Sequence, residues 1–111
     1  ATAAAFTKAQ ADHGADLYID DCASCHGADL DDGQFAPALK GAGFRSRWAG
    51  KSAGALFSFV TTNMPPGGAG QISDEDYADI ISFLLREGGA KAGDKPLPSD
   101  PAALTGMTLP M

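Results

Sequence analysis

The sequence is short of the residues that usually build a protein core. Only 8% of it is aromatic, with a single Trp, two Tyr and six Phe. No apolar run approaches the ~18 residues that a membrane-spanning helix needs. Cationic excess is missing as well. Eight Lys and Arg face fourteen Asp and Glu, a formal net charge of −6, which argues against nucleic acid as a partner. There are only two cysteines and two histidines, too few for a disulfide framework or for two zinc-binding pairs. No internal repeat and no convincing strand is visible, and no group resembles a general base or a nucleophile. What is plentiful is glycine and proline, fourteen and seven in 111 residues. With 44% hydrophobic and 20% charged residues, this is the composition of one globular domain, residues 1–111, with many turns and a thin core. Chains of this size often need a staple or a buried prosthetic group. Residues 1–5 are small and neutral, as a chain is just after a small-residue cleavage site, so an exported, processed protein is expected.

Both cysteines sit in one stretch, Cys22-Ala23-Ser24-Cys25-His26. Four readings of it compete. A disulfide across so short a loop removes little entropy from the unfolded chain. A thioredoxin-like redox pair belongs beside a βαβ pattern, and none is present. Zinc wants four ligands, and the only other histidine, His13, lies nine residues before Cys22 on an acidic segment where a solvent-exposed side chain is expected. Covalent haem attachment fits best. Two thiols three residues apart on a helical turn reach the two vinyl groups along one porphyrin edge, and the adjacent His26 swings under the ring to ligate iron.

Helical patterns follow from periodicity and caps. Thr7 can cap a helix over about residues 8–20, in which Gly14, Leu17 and Tyr18 mark a plausible helix crossing. Residues 27–43 are rich in turn formers. Ser52 can cap a short helix with Ala53, Leu56, Phe57 and Val60 on one face, stopped by Pro65-Pro66-Gly67-Gly68. Ser73 opens the clearest helix, about 74–87, with a capping box in which Asp76 replaces Glu. Its stripe is Tyr77, Ile80, Ile81, Leu84 and Leu85. From residue 90 the glycines and prolines predict an extended tail.

A second iron ligand has three methionine candidates: Met64, Met107 and Met111. Met64 follows a helix and directly precedes two prolines, which stiffen a loop without needing backbone hydrogen bonds. A soft thioether opposite imidazole suits low-spin haem iron and raises its potential. Met107 and Met111 lie in the tail, where methionine more often fills gaps. Met64 is therefore the expected ligand.

With these residues in view, the chain resembles a class I c-type cytochrome over nearly its whole length. The resemblance rests on Gly14 and Tyr18, Cys22-Ala23-Ser24-Cys25-His26-Gly27, Ala36-Pro37-Ala38-Leu39-Lys40-Gly41, Met64-Pro65, and residues 77–85. The segment Trp48-Ala49-Gly50-Lys51-Ser52-Ala53-Gly54-Ala55-Leu56-Phe57, with Met64-Pro65-Pro66-Gly67, is similar to the cytochrome c domains and small cytochromes that accompany quinone-dependent (PQQ) alcohol and sugar dehydrogenases. The resemblance implies an all-α fold, three to five helices around one covalently bound haem c, with an extended C-terminal tail over residues 90–111. It gives Cys22 and Cys25 as haem attachment sites and His26 and Met64 as axial ligands. Pro37 matches the proline whose carbonyl accepts the proximal histidine Nδ1–H. Trp48 matches an aromatic near a haem propionate. Arg45, with Arg47 and Lys51, could help to neutralise propionates. Phe35, Leu39, Phe44, Leu56, Phe57, Val60 and Leu84 are the expected haem walls.

Charge is segregated. Residues 12–32 hold seven acids and no Lys or Arg, whereas residues 40–51 hold four cations and no acid. Such a dipole can steer docking. The residues expected beside the haem edge, Ala23, Ser24, Pro65, Pro66 and Gly67, are uncharged, which suits brief contact through a small apolar patch. The expected function is a periplasmic, monomeric, non-enzymatic electron carrier between redox proteins. It would accept from a quinoprotein dehydrogenase and pass electrons to a terminal oxidase or another cytochrome, without nucleic acid or a membrane span. The alternatives are a cytochrome domain cut from a larger quinohaemoprotein dehydrogenase, and a haem enzyme or gas sensor with a labile sixth ligand.

Overall fold

The structure is a computed structural model that describes residues 2–33, 38–65, 68 and 72–111, apart from the side chain of Ser24. Its first helix, α1 (Lys8–Asp21), begins where the sequence supplies a reciprocal cap. The Thr7 hydroxyl accepts from the Gln10 N–H, and the Gln10 side chain accepts from the Thr7 N–H, both at 3.1 Å. Two orphan donors at the helix start are thereby satisfied. A single turn, α2 (Ala23–His26), follows after a break at Cys22. Next come α3 (Gly41–Trp48), α4 (Ala53–Asn63) and α5 (Asp74–Glu87). Ser52 and Ser73 cap the last two through their hydroxyls, accepting from Ala55 and Asp76 N–H groups. Among the described residues, no helix is long and apolar enough to cross a membrane.

The helices α1 and α5 cross and form the principal packing contact. A Cβ on Gly14 would overlap the main-chain carbonyl of Asp79, so only glycine lets the two backbones approach this closely. Around that point Gln10 Nε2 donates to Asp79 Oδ1 at 3.2 Å, and Arg86 donates to Asp12 at 2.5 Å. Tyr18 stacks on Phe83 with ring centroids 5.4 Å apart. On α5 the stripe expected from the sequence is buried, from Tyr77 through Ile80 and Ile81 to Leu84 and Leu85. The weak stripe of α1 is explained by what it buries: Ala11, Gly14 and Tyr18. Small residues carry little hydrophobic signal, yet here they set the crossing distance.

Two elements depart from the sequence reading. Residues 41–48, expected to be partly turn, form α3; Phe44 and Trp48, one helical turn apart, are its buried pair. The tail is not extended throughout. Asp100 caps α6 (Pro101–Thr105), and Pro101 occupies its first turn, where its fixed φ favours a helix. A two-residue strand, β2 (Met107–Thr108), then pairs in parallel with β1 (Thr2–Ala3), with Thr2 opposite Met107 and Ala3 opposite Thr108. The tail is stapled inward by Leu97, Leu104 and Leu109, all buried. Gln10 locks it to α1, accepting from the Leu97 N–H at 2.7 Å and donating to the Leu97 carbonyl at 3.0 Å. Prolines set the backbone of this segment, but its three leucines decide where it lies.

The buried apolar residues fall into two groups. One contains Phe6, Phe44, Trp48, Leu56, Phe57, Tyr77, Ile81 and the tail leucines. The other contains Tyr18, Leu30, Phe83 and Leu84. Leu39 packs against both.

Candidate haem-binding site

Between the two groups lies a cavity of about 590 Å³. Close-packed interiors leave few voids larger than a water molecule, so this volume is a binding site rather than a packing defect. It falls within the ~300–1,000 Å³ range of cofactor and ligand sites. Leu39, Phe44, Trp48, Leu56, Phe59, Val60, Ile80 and Leu84 supply most of its walls. Cys22, Cys25, His26 and Met64 all open onto it.

The chain builds the cysteine side of the cavity by tight turns. The Cys25 and His26 N–H groups both donate to the Cys22 carbonyl, at 3.2 and 3.0 Å, and the Gly27 N–H donates to Ala23 at 2.8 Å. Residues three and four apart on such a turn share a face, so both thiols and the imidazole serve one cavity. Gly27 then takes φ +89°, and any Cβ there would run into the Asp32 carboxylate. A Cβ on Gly33 would strike the carbonyl of Cys25. The loop thus folds back against the turn, held by Asp29 N–H to Asp32 Oδ1 at 3.1 Å. It ends with the Leu39 N–H donating to the Leu30 carbonyl at 2.8 Å, which brings Leu39 to the cavity wall. His26 is buried.

The cysteine thiols are unbonded to each other. Burial, followed by the nearby Asp21 and Cys25, pushes the Cys22 thiol up to about 11. Reactive thiols of redox enzymes have the opposite property, a lowered pKa. Among the described residues the zinc reading lacks its ligands: the group close enough to share a metal is His13, Asp76 and Asp79, which contains no cysteine.

Met64, which also lines the cavity, is the C-cap residue of α4. Its N–H donates to the Val60 carbonyl at 2.9 Å, and its own carbonyl accepts the Tyr77 hydroxyl at 2.5 Å. Leu56, Phe59 and Val60 form the α4 wall, spaced three and four apart. Phe57, expected as a haem wall, is not among the lining residues. It lies on the adjoining face of α4, edge-on to Tyr77 with centroids 6.5 Å apart, and belongs to the protein core. Trp48 and Phe59, both lining residues, pack edge-to-face with centroids 5.6 Å apart. The Arg47 guanidinium sits 4.6 Å from the Phe59 centroid and 5.4 Å from that of Trp48. Lys51 approaches the Trp48 ring at 5.3 Å. Arg45 is exposed and is not a lining residue. Arg47, three residues after Phe44 and just before Trp48, is the α3 cation that lines the cavity.

Of the residues expected from the sequence, Leu39, Phe44, Trp48, Leu56, Val60 and Leu84 line the cavity together with Cys22, Cys25, His26 and Met64. Phe35 and Pro37 lie outside the described residues, as do Pro66 and Gly67. Tyr18, Phe59 and Ile80 line it without having been singled out as wall residues. The helical offsets 56/59/60 and 77/80/84 are the signal that finds the last two.

A family model described as cytochrome c oxidase, cbb3-type, subunit III matches residues 9–84. The chain belongs to this family of class I c-type cytochrome domains. No curated protein and no solved structure matches the chain. The family binds covalently attached haem c, and the pair Cys22 and Cys25 followed by His26 has the spacing of that attachment. The cavity fits the group: it is mainly apolar and of suitable volume, with both thiols on one turn. The protein is accordingly an electron carrier rather than an enzyme, built on an all-α cytochrome c fold.

Proposed function

We propose that this chain is a monohaem electron carrier in which Cys22 and Cys25 hold the haem and His26 and Met64 are its axial ligands. One observation carries the reading: an imidazole and a thioether, from separate elements, open onto the same apolar cavity as the two thiols. Haem bound there supplies one-electron iron chemistry at a potential raised by thioether ligation. The residues do the rest. Leu39, Leu56, Val60, Ile80 and Leu84 exclude water from the site. Arg47, braced by Trp48 and Phe59, offers a cation to the propionates, and Trp48 offers an indole N–H. Pro37 is proposed as the acceptor that orients His26. With His26 and Met64 both offered to the iron, the site would move electrons rather than bind substrate.

The donor is proposed to be a quinoprotein dehydrogenase, on the resemblance of residues 48–57, and the acceptor a terminal oxidase or a second cytochrome, in the periplasm. The uncharged Ala23, between the two cysteines, and Pro65, which lines the cavity, together with the cationic run of residues 40–51, suit short-lived docking. The ferric protein is expected to show a low-spin spectrum with the weak red charge-transfer band of a methionine–iron bond. Loss of the band in Met64→Ala, with Met107→Ala unchanged, supports the assignment; the reverse result sinks it. Reduction of the protein by a purified quinoprotein dehydrogenase as sole donor tests the partner.

A further inference from the structure

Two tyrosines occupy related positions on the two crossing helices. Tyr18 of α1 donates its hydroxyl to the carbonyl of Gly27, the residue after His26, at 2.5 Å. Tyr77 of α5 donates to the carbonyl of Met64, also at 2.5 Å. Both rings are about 1% exposed, and each is seated on an aromatic neighbour, Phe83 for Tyr18 and Phe57 for Tyr77. Each tyrosine thus ties a backbone segment that carries a candidate iron ligand to the most firmly packed part of the fold.

The two sides differ in what else holds them. His26 directly follows Cys25, so haem attachment tethers its backbone covalently. Met64 has no such tether. It is the cap residue just past the end of α4, in extended backbone, and its side chain has three rotatable bonds. A flexible thioether is aimed only as well as its own backbone is held. We infer that Tyr77 is a positioning residue for Met64: its hydroxyl holds the Met64 carbonyl against α5, keeps the thioether directed into the cavity, and makes Met64 harder to displace by an outside ligand. The inference rests on the reading of Met64 as the axial ligand.

The test is imidazole titration of the ferric holoprotein, following the methionine charge-transfer band, in Tyr77→Phe and Tyr18→Phe. Each variant keeps its ring and loses the part-buried hydrogen bond from its hydroxyl to the ligand-bearing segment. Such a bond is worth about 1 kcal/mol, roughly fivefold in an equilibrium constant. Tyr77→Phe is expected to bind imidazole about fivefold more tightly than the unmutated protein, and Tyr18→Phe to match the unmutated protein. Equal shifts in both variants would mean general loosening and would overturn the inference, as would no shift in either. A second measurement needs no variant. The Tyr77 hydroxyl proton in the Met64-bound protein is expected to exchange slowly by NMR, and to exchange freely once imidazole displaces Met64; free exchange before displacement overturns the inference. A band missing from the unmutated protein removes the Met64 reading and this inference with it. A band that persists in Tyr77→Phe with unchanged imidazole affinity removes this inference alone.

Discussion

His13 Nδ1 lies 2.7 Å from Asp79 Oδ2, bridging α1 and α5 beside the Gly14 crossing. The hydrogen bond to Asp79 raises the pKa of His13 above its ordinary 6.5, with Asp76 and Asp16 adding to the effect. A raised folded-state pKa means the protonated histidine binds its partner better than the neutral one. The stabilisation is therefore complete below about pH 6.5 and disappears as pH rises through the raised value. His13 is exposed, so the effect is small. Thermal unfolding of the unmutated protein and of His13→Asn should differ at pH 5.5 and converge by about pH 9. A difference independent of pH would mean that the ion pair does not contribute.

Arg47 and Arg45 are two residues apart on α3, yet only Arg47 lines the cavity. A cation next to a redox centre disfavours the oxidised, more positive state. Arg47→Gln should lower the reduction potential, by an amount on the order of tens of millivolts. Arg45→Gln, which removes the same charge from an equally exposed residue that does not line the cavity, should change it much less. Spectroelectrochemistry of both variants decides this, and equal shifts would place the two charges on the same footing.

Leu104 of α6 is fully buried. Leu104→Ala should cost about 3 kcal/mol in guanidinium unfolding of the holoprotein, within the usual range for a buried leucine. A cost near zero would mean that the tail is a loose cover rather than part of the core.

The helices were legible where side chains advertise them. Ser52 and Ser73 cap α4 and α5, Thr7 caps α1, and Gly14 sits at the crossing where a glycine in an otherwise helical pattern had pointed. The cysteine motif and Met64 reach one cavity. What escaped was decided by tertiary contact. Helix α3 carries two glycines and only one buried pair, so its local pattern was too weak to separate from turns. The Pro-rich tail reads as extended because proline breaks helix interiors, whereas Pro101 lies in the first turn of α6, where proline starts a helix. Phe57 and Phe59 are equally apolar in the sequence; the rotation of α4 turns Phe59 to the cavity and Phe57 to Tyr77. Tyr77 was legible as part of a core stripe, but the reach of its hydroxyl to Met64 depends on how α4 ends against α5.

The division of the apolar core has a consequence for how the protein is made. Tyr18 and Leu84 of one group and Phe44, Trp48 and Leu56 of the other line the same cavity, and Leu39 packs against both. A group that binds the folded state and fills that cavity adds its binding free energy to folding. Once attached through Cys22 and Cys25, the haem adds buried apolar contacts to the folded state, and a chain without it leaves the cavity walls of both groups uncovered. The same cavity that receives the haem distinguishes finished molecules from unfinished ones.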